Sequence, residues 1–262
     1  MKLNRIWAML LKFWYITINR PDRIFDIIYW PVIDLFVWGF ASVFIQQVSD
    51  VSFLSMFLGG IVLWIFVWRS SQDIAVYVLE DFWGRNLYHQ FSSPITLTEH
   101  MFSVMLFAFF RSICTFVVLT ILAFIMYRFF IFSIAPFIFI AASIAILSLF
   151  GWAMGLFVTS LVLRFGQRIQ VLAWSSVWIV QPFSCVFYPL SALPTWAVPV
   201  AKVLPTTYVF EGLRAIINGN LVNISSLLYS LVLTLIFLVL TSFLIRIAFK
   251  HAKSSGLLAR GD

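Results

Sequence analysis

The chain has 262 residues, 63% of them hydrophobic and only 10% charged, with 19% aromatic residues and a mean hydropathy of +1.03. A soluble domain carries about 25% charged residues, so a soluble globular fold, a disordered chain and a coiled coil are excluded, leaving a polytopic membrane protein. The formal charge of +7 invites a nucleic-acid reading, but Lys and Arg at the ends of membrane segments account for it without one.

The first element is amphipathic. At 100° per residue, Lys2, Arg5, Lys12, Asn19 and Arg20 gather within an arc of about 100°. Leu3, Ile6, Trp7, Leu10, Phe13 and Trp14 cover the other side. A basic stripe opposite a Trp- and Leu-rich face predicts a helix lying in the cytoplasmic interface; the alternative is an ordinary buried first helix. The apolar run Ile6–Leu11 is cut by Lys12 with no small-x-small cleavage site after it, unlike a signal peptide. Pro21 ends the element.

Six runs follow that are apolar enough to span a membrane: 24–45, 53–78, 101–126, 134–161, 169–188 and 224–247. Six spans put both termini on one side. No repeat or linker marks a second unit, so residues 1–262 read as one transmembrane domain. With the N-terminus inside, thirteen Lys and Arg fall in inner segments, against Arg128, Lys202 and Arg214 outside. That bias places both termini in the cytoplasm.

Catalytic motifs are missing. No HExxH, GxSxG or Cys-x-x-Cys occurs, and no glycine precedes a lysine, so proteolysis, serine hydrolysis and a P-loop have nothing to stand on. Cys114 and Cys185 lie in apolar runs, which argues against a disulfide or metal cluster. His89, His100 and His251 fall at expected cytoplasmic edges, solvated or interfacial. The chain is expected to be no enzyme and to bind no cofactor itself.

Two charges lie deep in spans. Asp34 and Arg111 each sit about 10 residues from the cytoplasmic side, or ~15 Å deep, so an ion pair between them, or a shared polar cavity, is expected. Arg111 meeting Asp73 is the rival, since Arg69 and Asp73 form an i,i+4 pair. Tyr29, Trp30, Phe36 and Trp38 are candidates to line a substrate path; lipid-facing aromatic belts are the plainer reading. Gly151 and Gly155 form a small-xxx-small pair, expected to serve a contact within the subunit rather than a dimer seam.

The cytoplasmic connection Leu79–Ile95 has a short amphipathic pattern, with Leu87 and Phe91 at i and i+4, stopped at Ser93-Pro94. It suits docking against another protein, or a loop helix floating at the interface. The stretch 181–214 holds Pro189, Pro194, Pro199 and Pro205 yet stays apolar, which predicts short helices dipping into the outer membrane face.

The order FSCVFYPLSALP…LPTTYVFEGLR, preceded by E…GRNL…SSPIT, resembles the type-2 family of ATP-binding-cassette (ABC) transporter permeases. The resemblance covers nearly the whole chain. It implies an all-helical half-transporter: an interfacial N-terminal helix, six spans, and an extracellular re-entrant hairpin between spans five and six. Pro189, Pro194, Pro205, Glu211 and Arg214 belong to that hairpin; the family often has Gly where this chain has Cys185. It implies a homodimer, or pairing with a related permease, with the seam mainly along the first and fifth spans. It also implies separate nucleotide-binding subunits that hold ATP and Mg²⁺ and dock on a coupling helix at Arg85, Leu87, Tyr88, Phe91 and Ser93. Export of a drug, lipid, peptide or lipid-linked glycan across the inner (plasma) membrane follows from the same likeness, with membrane lipids as surroundings and no nucleic acid. An ion-gradient-driven secondary transporter is the alternative; it predicts inverted repeats, and none is visible. An intramembrane enzyme would need an acid/base or nucleophile constellation at depth, which the sequence does not offer.

Overall fold

The computed structural model describes residues 1–48, 53–84 and 86–256. Eleven α-helices form among them: α1 Leu3–Ile18, α2 Pro21–Val48, α3 Phe53–Trp83, α4 Asn86–Ser92, α5 Leu97–Tyr127, α6 Ile131–Ile134, α7 Phe137–Phe165, α8 Leu172–Val180, α9 Val198–Val203, α10 Pro205–Ile217 and α11 Ile224–Ser254. Short 3-10 turns stand at Gly166–Ile169, Gln181–Phe183 and Leu190–Ala192, and no strand occurs among the described residues. Five helices, α2, α3, α5, α7 and α11, are long and apolar enough to cross a membrane. The chain is a multi-pass, all-α membrane protein.

The expected span at 169–188 takes another form. α8 has nine residues, and Pro182, with no N–H to give Trp178, ends its ladder in a 3-10 turn. The segment nonetheless runs far along α3. Trp174 stacks on Trp83 at the C-terminal end of α3, with ring centroids 6.3 Å apart. Phe187 stacks on Trp38 and Phe57 at 4.3 and 5.5 Å. On a straight helix Phe57 and Trp83 lie about 39 Å apart, so this partly helical strap follows nearly all of α3.

α1, α4 and the C-terminal turns of α11 gather at one end of the bundle, called the lower end here. Met9, Phe13, Leu87, Ala248 and Ala252 share a core cluster there with the lower halves of α3, α5 and α7. Ile6, Met9, Phe13 and Thr17 are the buried face of α1, while Trp7, Trp14 and Tyr15 stay exposed. The helix is pinned at both ends. The Lys2 backbone N–H donates to Glu99 at 2.8 Å, Arg5 pairs with Glu99 at 3.4 Å, and Lys12 pairs with Asp81 at 2.9 Å. Glu99 also closes a capping box with Thr96 that starts α5. Because α1 and α4 cover this end, His100 is buried between Phe13 and Phe91 rather than solvated.

A second core cluster fills the upper half, from Leu58 to Trp68 on α3, with Phe116–Ala123, Phe139–Phe150 and Val209–Leu213. Between the clusters lies a polar layer: Arg69, Ser70, Ser71 and Asp73 on α3, with Arg111, Ser112 and Thr115 on α5, all buried. At this level α7 presents Gly151 and Gly155. A Cβ on Gly151 would stand 2.8 Å from Ser70 Cβ and 2.9 Å from the Phe66 carbonyl oxygen; one on Gly155 would stand 2.8 Å from Ile74 Cβ. The glycine pair therefore serves a contact within the subunit, seating α7 on α3.

α2 runs through Pro31 without stopping. Pro31 cannot donate to the Ile27 carbonyl, and Thr115 Oγ1 on α5 donates to that oxygen instead, at 3.3 Å. Freed backbone groups in membrane helices need such partners.

Candidate functional site

The polar layer holds a closed circuit of charge. Arg69 donates to Asp26 Oδ2 at 2.7 Å and to the Asp26 carbonyl oxygen at 2.7 Å, and lies 3.6 Å from Asp73. Arg111 donates to Asp73 Oδ1 at 2.8 Å and lies 3.5 Å from Asp26. Two arginines and two aspartates thus alternate, from α2, α3 and α5, with no net charge. Arg69 is 0% exposed and sits over the Trp68 ring at 4.9 Å. Just below, Arg23 pairs with Glu80 and lies over Tyr77.

The expected pair of Asp34 with Arg111 does not form; the rival Arg111–Asp73 contact does. The reason is register. α2 starts beside the last turns of α3, as Arg23 on Glu80 shows, so Asp26 is level with Arg69 and Arg111. Asp34 is eight residues further up, about 12 Å away. Trp30 is elsewhere again, exposed and edge-on to Tyr29 at 5.2 Å. Trp30, Asp34 and Arg111 thus do not come together to line one path.

Asp34 opens instead onto a cavity of about 20 Å³ lined by Pro31, Trp38, Trp64, Trp68, Trp178, Gln181 and Phe187, among others. Regular spacings build it: Asp34 and Trp38 are i,i+4 on α2, and Trp64 and Trp68 are i,i+4 on α3. Among the described residues Asp34 has neither an ion-pair partner nor a hydrogen bond. An isolated charge near the centre of a spanning helix costs about 2.5–3.5 kcal/mol on insertion scales, and the fold leaves that cost standing here. Of the aromatic path candidates, only Trp38 reaches the cavity; Tyr29 and Phe36 are exposed.

At the lower end, α4 joins α3 to α5. Leu87 is 2% exposed, and Phe91 packs edge-on against Phe249 at 4.6 Å. Both residues therefore face inward and anchor α4. Asn86 and His89 are exposed on its other side. The Ser93 hydroxyl donates to the Gln90 carbonyl oxygen and closes the helix. Arg85 and the Tyr88 side chain lie outside the described residues.

The proline-rich stretch is held by Glu211 and Arg214 on α10. Glu211 accepts from the Leu190 backbone N–H at 2.8 Å and from Arg214 at 2.8 Å. Arg214 donates to the carbonyl oxygens of Cys185 and Tyr188. Pro189 precedes the Leu190–Ala192 turn, the Pro194 carbonyl accepts from Ala197, and Pro205 opens α10 while its carbonyl accepts from Ser230 at 2.7 Å. Cys185 turns the chain at φ +53°, a region where glycine is at ease and other residues are not. Cys185→Gly should keep or raise the melting temperature in detergent. Cys185→Val, with a branched Cβ, should lose roughly 1–3 kcal/mol; equal stability of the two variants would show that the turn carries no strain.

No protein-family model matches this chain, and no curated protein matches it.

Proposed function

We propose that the chain is the membrane subunit of an ATP-driven ABC exporter, working as a dimer with separate nucleotide-binding subunits to move an amphipathic or lipid-linked cargo. The sequence likeness supplies the prior, and the observation that carries the reading is α4. It is seven residues long, sits at the joint of α3 and α5, and is fixed inward by Leu87 and Phe91. A push on its exposed side is passed to α5 and α11 through packed side chains rather than absorbed by a loop.

In this reading the strap 172–187 is a sixth, broken crossing, and the stretch held by Glu211 and Arg214 is the re-entrant hairpin. An even number of crossings agrees with the lower end carrying both α1 and the last turns of α11. The lower end is cytoplasmic, where the excess of Lys and Arg lies, and α1 lies in that interface.

The purified chain should hydrolyse no ATP alone and should raise the turnover of a P-loop partner when the two are reconstituted together. Asn86→Glu, on the exposed side of α4, should weaken that stimulation about tenfold, a loss of ~1.4 kcal/mol of coupling, with the fold intact. Leu87 and Phe91 are the wrong probes, since a charge at either would unfold the lower core. Hydrolysis by the chain alone, free of contaminants, would sink the proposal. Asp34, a carboxylate at depth with no counter-charge among the described residues, favours one other reading: ion-gradient-driven transport, identified by uptake under an imposed gradient without ATP.

A further inference from the structure

Most intramembrane charges in this protein are neutralised by the fold; Asp34 is not. Arg69, Asp73 and Arg111 balance one another's charge with Asp26, and the deepest acid of α2 is left facing a box of indoles. We propose that Asp34 and the rings of Trp38, Trp64 and Trp178 form a binding site for the primary ammonium head of a cationic amphiphile.

Three features carry this. The charge that complements a lone carboxylate is a cation, and none of the described residues supplies one to Asp34. Indole faces attract cations within about 6 Å of the ring, and Trp68 already serves that role for Arg69 on the neighbouring face. The volume of about 20 Å³ is that of a water-sized group, which fits –NH₃⁺ and is too small for a trimethylammonium head. Gln181 also lines the cavity and carries an amide oxygen, a further acceptor for the ammonium protons. Trp178, one of the lining residues, is half exposed, so an alkyl tail need not cross the core to leave on that side. Gln181, Trp178 and Phe187 all come from the broken strap 172–187, so the cage has one wall that is not a regular spanning helix.

In naming an exported cargo this rests on the exporter reading; in naming a ligand it does not. The experiment keeps the two apart by using the chain in lipid nanodiscs with no ATPase subunit. Dodecylammonium is titrated while tryptophan fluorescence is followed, and Asp34→Asn in the same lipid cancels partitioning into the bilayer. The wild type should give a saturable change. Asp34→Asn should weaken it about tenfold or more, and Trp178→Ala, which removes an exposed wall, should weaken it in a chain whose core is untouched. Dodecyltrimethylammonium should bind less tightly than dodecylammonium, and dodecanol should be silent. Equal titrations of wild type and Asp34→Asn would overturn the site, as would no saturable change or an equal response to dodecanol. Displacement by millimolar sodium but not choline would show an inorganic cation site and overturn it too. Loss of partner-stimulated hydrolysis leaves this binding intact, and loss of the binding leaves the exporter reading intact.

Discussion

Asp73→Asn alone should cost roughly 3–5 kcal/mol of stability, because it leaves two buried arginines to share the single carboxylate of Asp26. Asp73→Asn combined with Arg111→Met should return most of that loss. The circuit holds two positive and two negative groups, and Asp73 gives Arg111 its closest contact, at 2.8 Å. Removing both partners of that contact restores neutrality and replaces a guanidinium by an apolar chain of similar length. Asp26→Asn should cost less, since the Asp26 side chain is 35% exposed and its backbone carbonyl still accepts from Arg69. The measurement is a double-mutant cycle on unfolding in detergent. A double variant no more stable than Asp73→Asn would mean that the arginines are held by something other than these carboxylates.

Gly155→Leu should prevent α7 from seating on α3 and abolish the folded, monodisperse protein; Gly155→Ala should lose roughly 1–3 kcal/mol, the usual cost of overpacking. The added Cβ would meet Ile74 Cβ at 2.8 Å and the Ser71 carbonyl oxygen at 3.0 Å. Neither atom is the end of a flexible side chain, so no rotamer change clears the space. Ala141, on an exposed face of the same helix, is the control: Ala141→Leu should be neutral. Wild-type stability of Gly155→Ala, measured by thermal unfolding, would show that the two helices do not approach so closely.

Apolar length made α2, α3, α5, α7 and α11 legible in the sequence, because a bilayer of fixed thickness demands runs of about 20 residues. The strap 172–187 has the composition of a span without its helix, and composition does not register the N–H that Pro182 lacks. Counting from the ends of apolar runs matches Asp34 with Arg111, and the count fails because α5 runs further below the circuit than α2 does. Relative height is a tertiary property. The sequence carries other signals: Thr96-x-x-Glu99 is a capping box, and Asp34-x₃-Trp38 with Trp64-x₃-Trp68 puts an acid and three indoles on two facing stripes. The burial of Leu87 and Phe91 follows from the same i,i+4 spacing that suggested docking; sequence alone does not say which side of a short helix is covered.

The alternation of charge around Asp26, Arg69, Asp73 and Arg111 also sets an order of assembly. As the chain is made, α2 brings Asp26 to the level of the circuit, and α3 follows with one charge of each sign at i,i+4. The hairpin of α2 and α3 is therefore short of one positive charge until α5 arrives with Arg111. Insertion of α5 relieves the acids already in place, and their attraction offsets the cost of bringing an arginine to that depth. A ribosome stalled before residue 111 would leave this circuit open. The circuit is thus first neutral when α2, α3 and α5 are all in place, a base on which α7 and α11 can be laid.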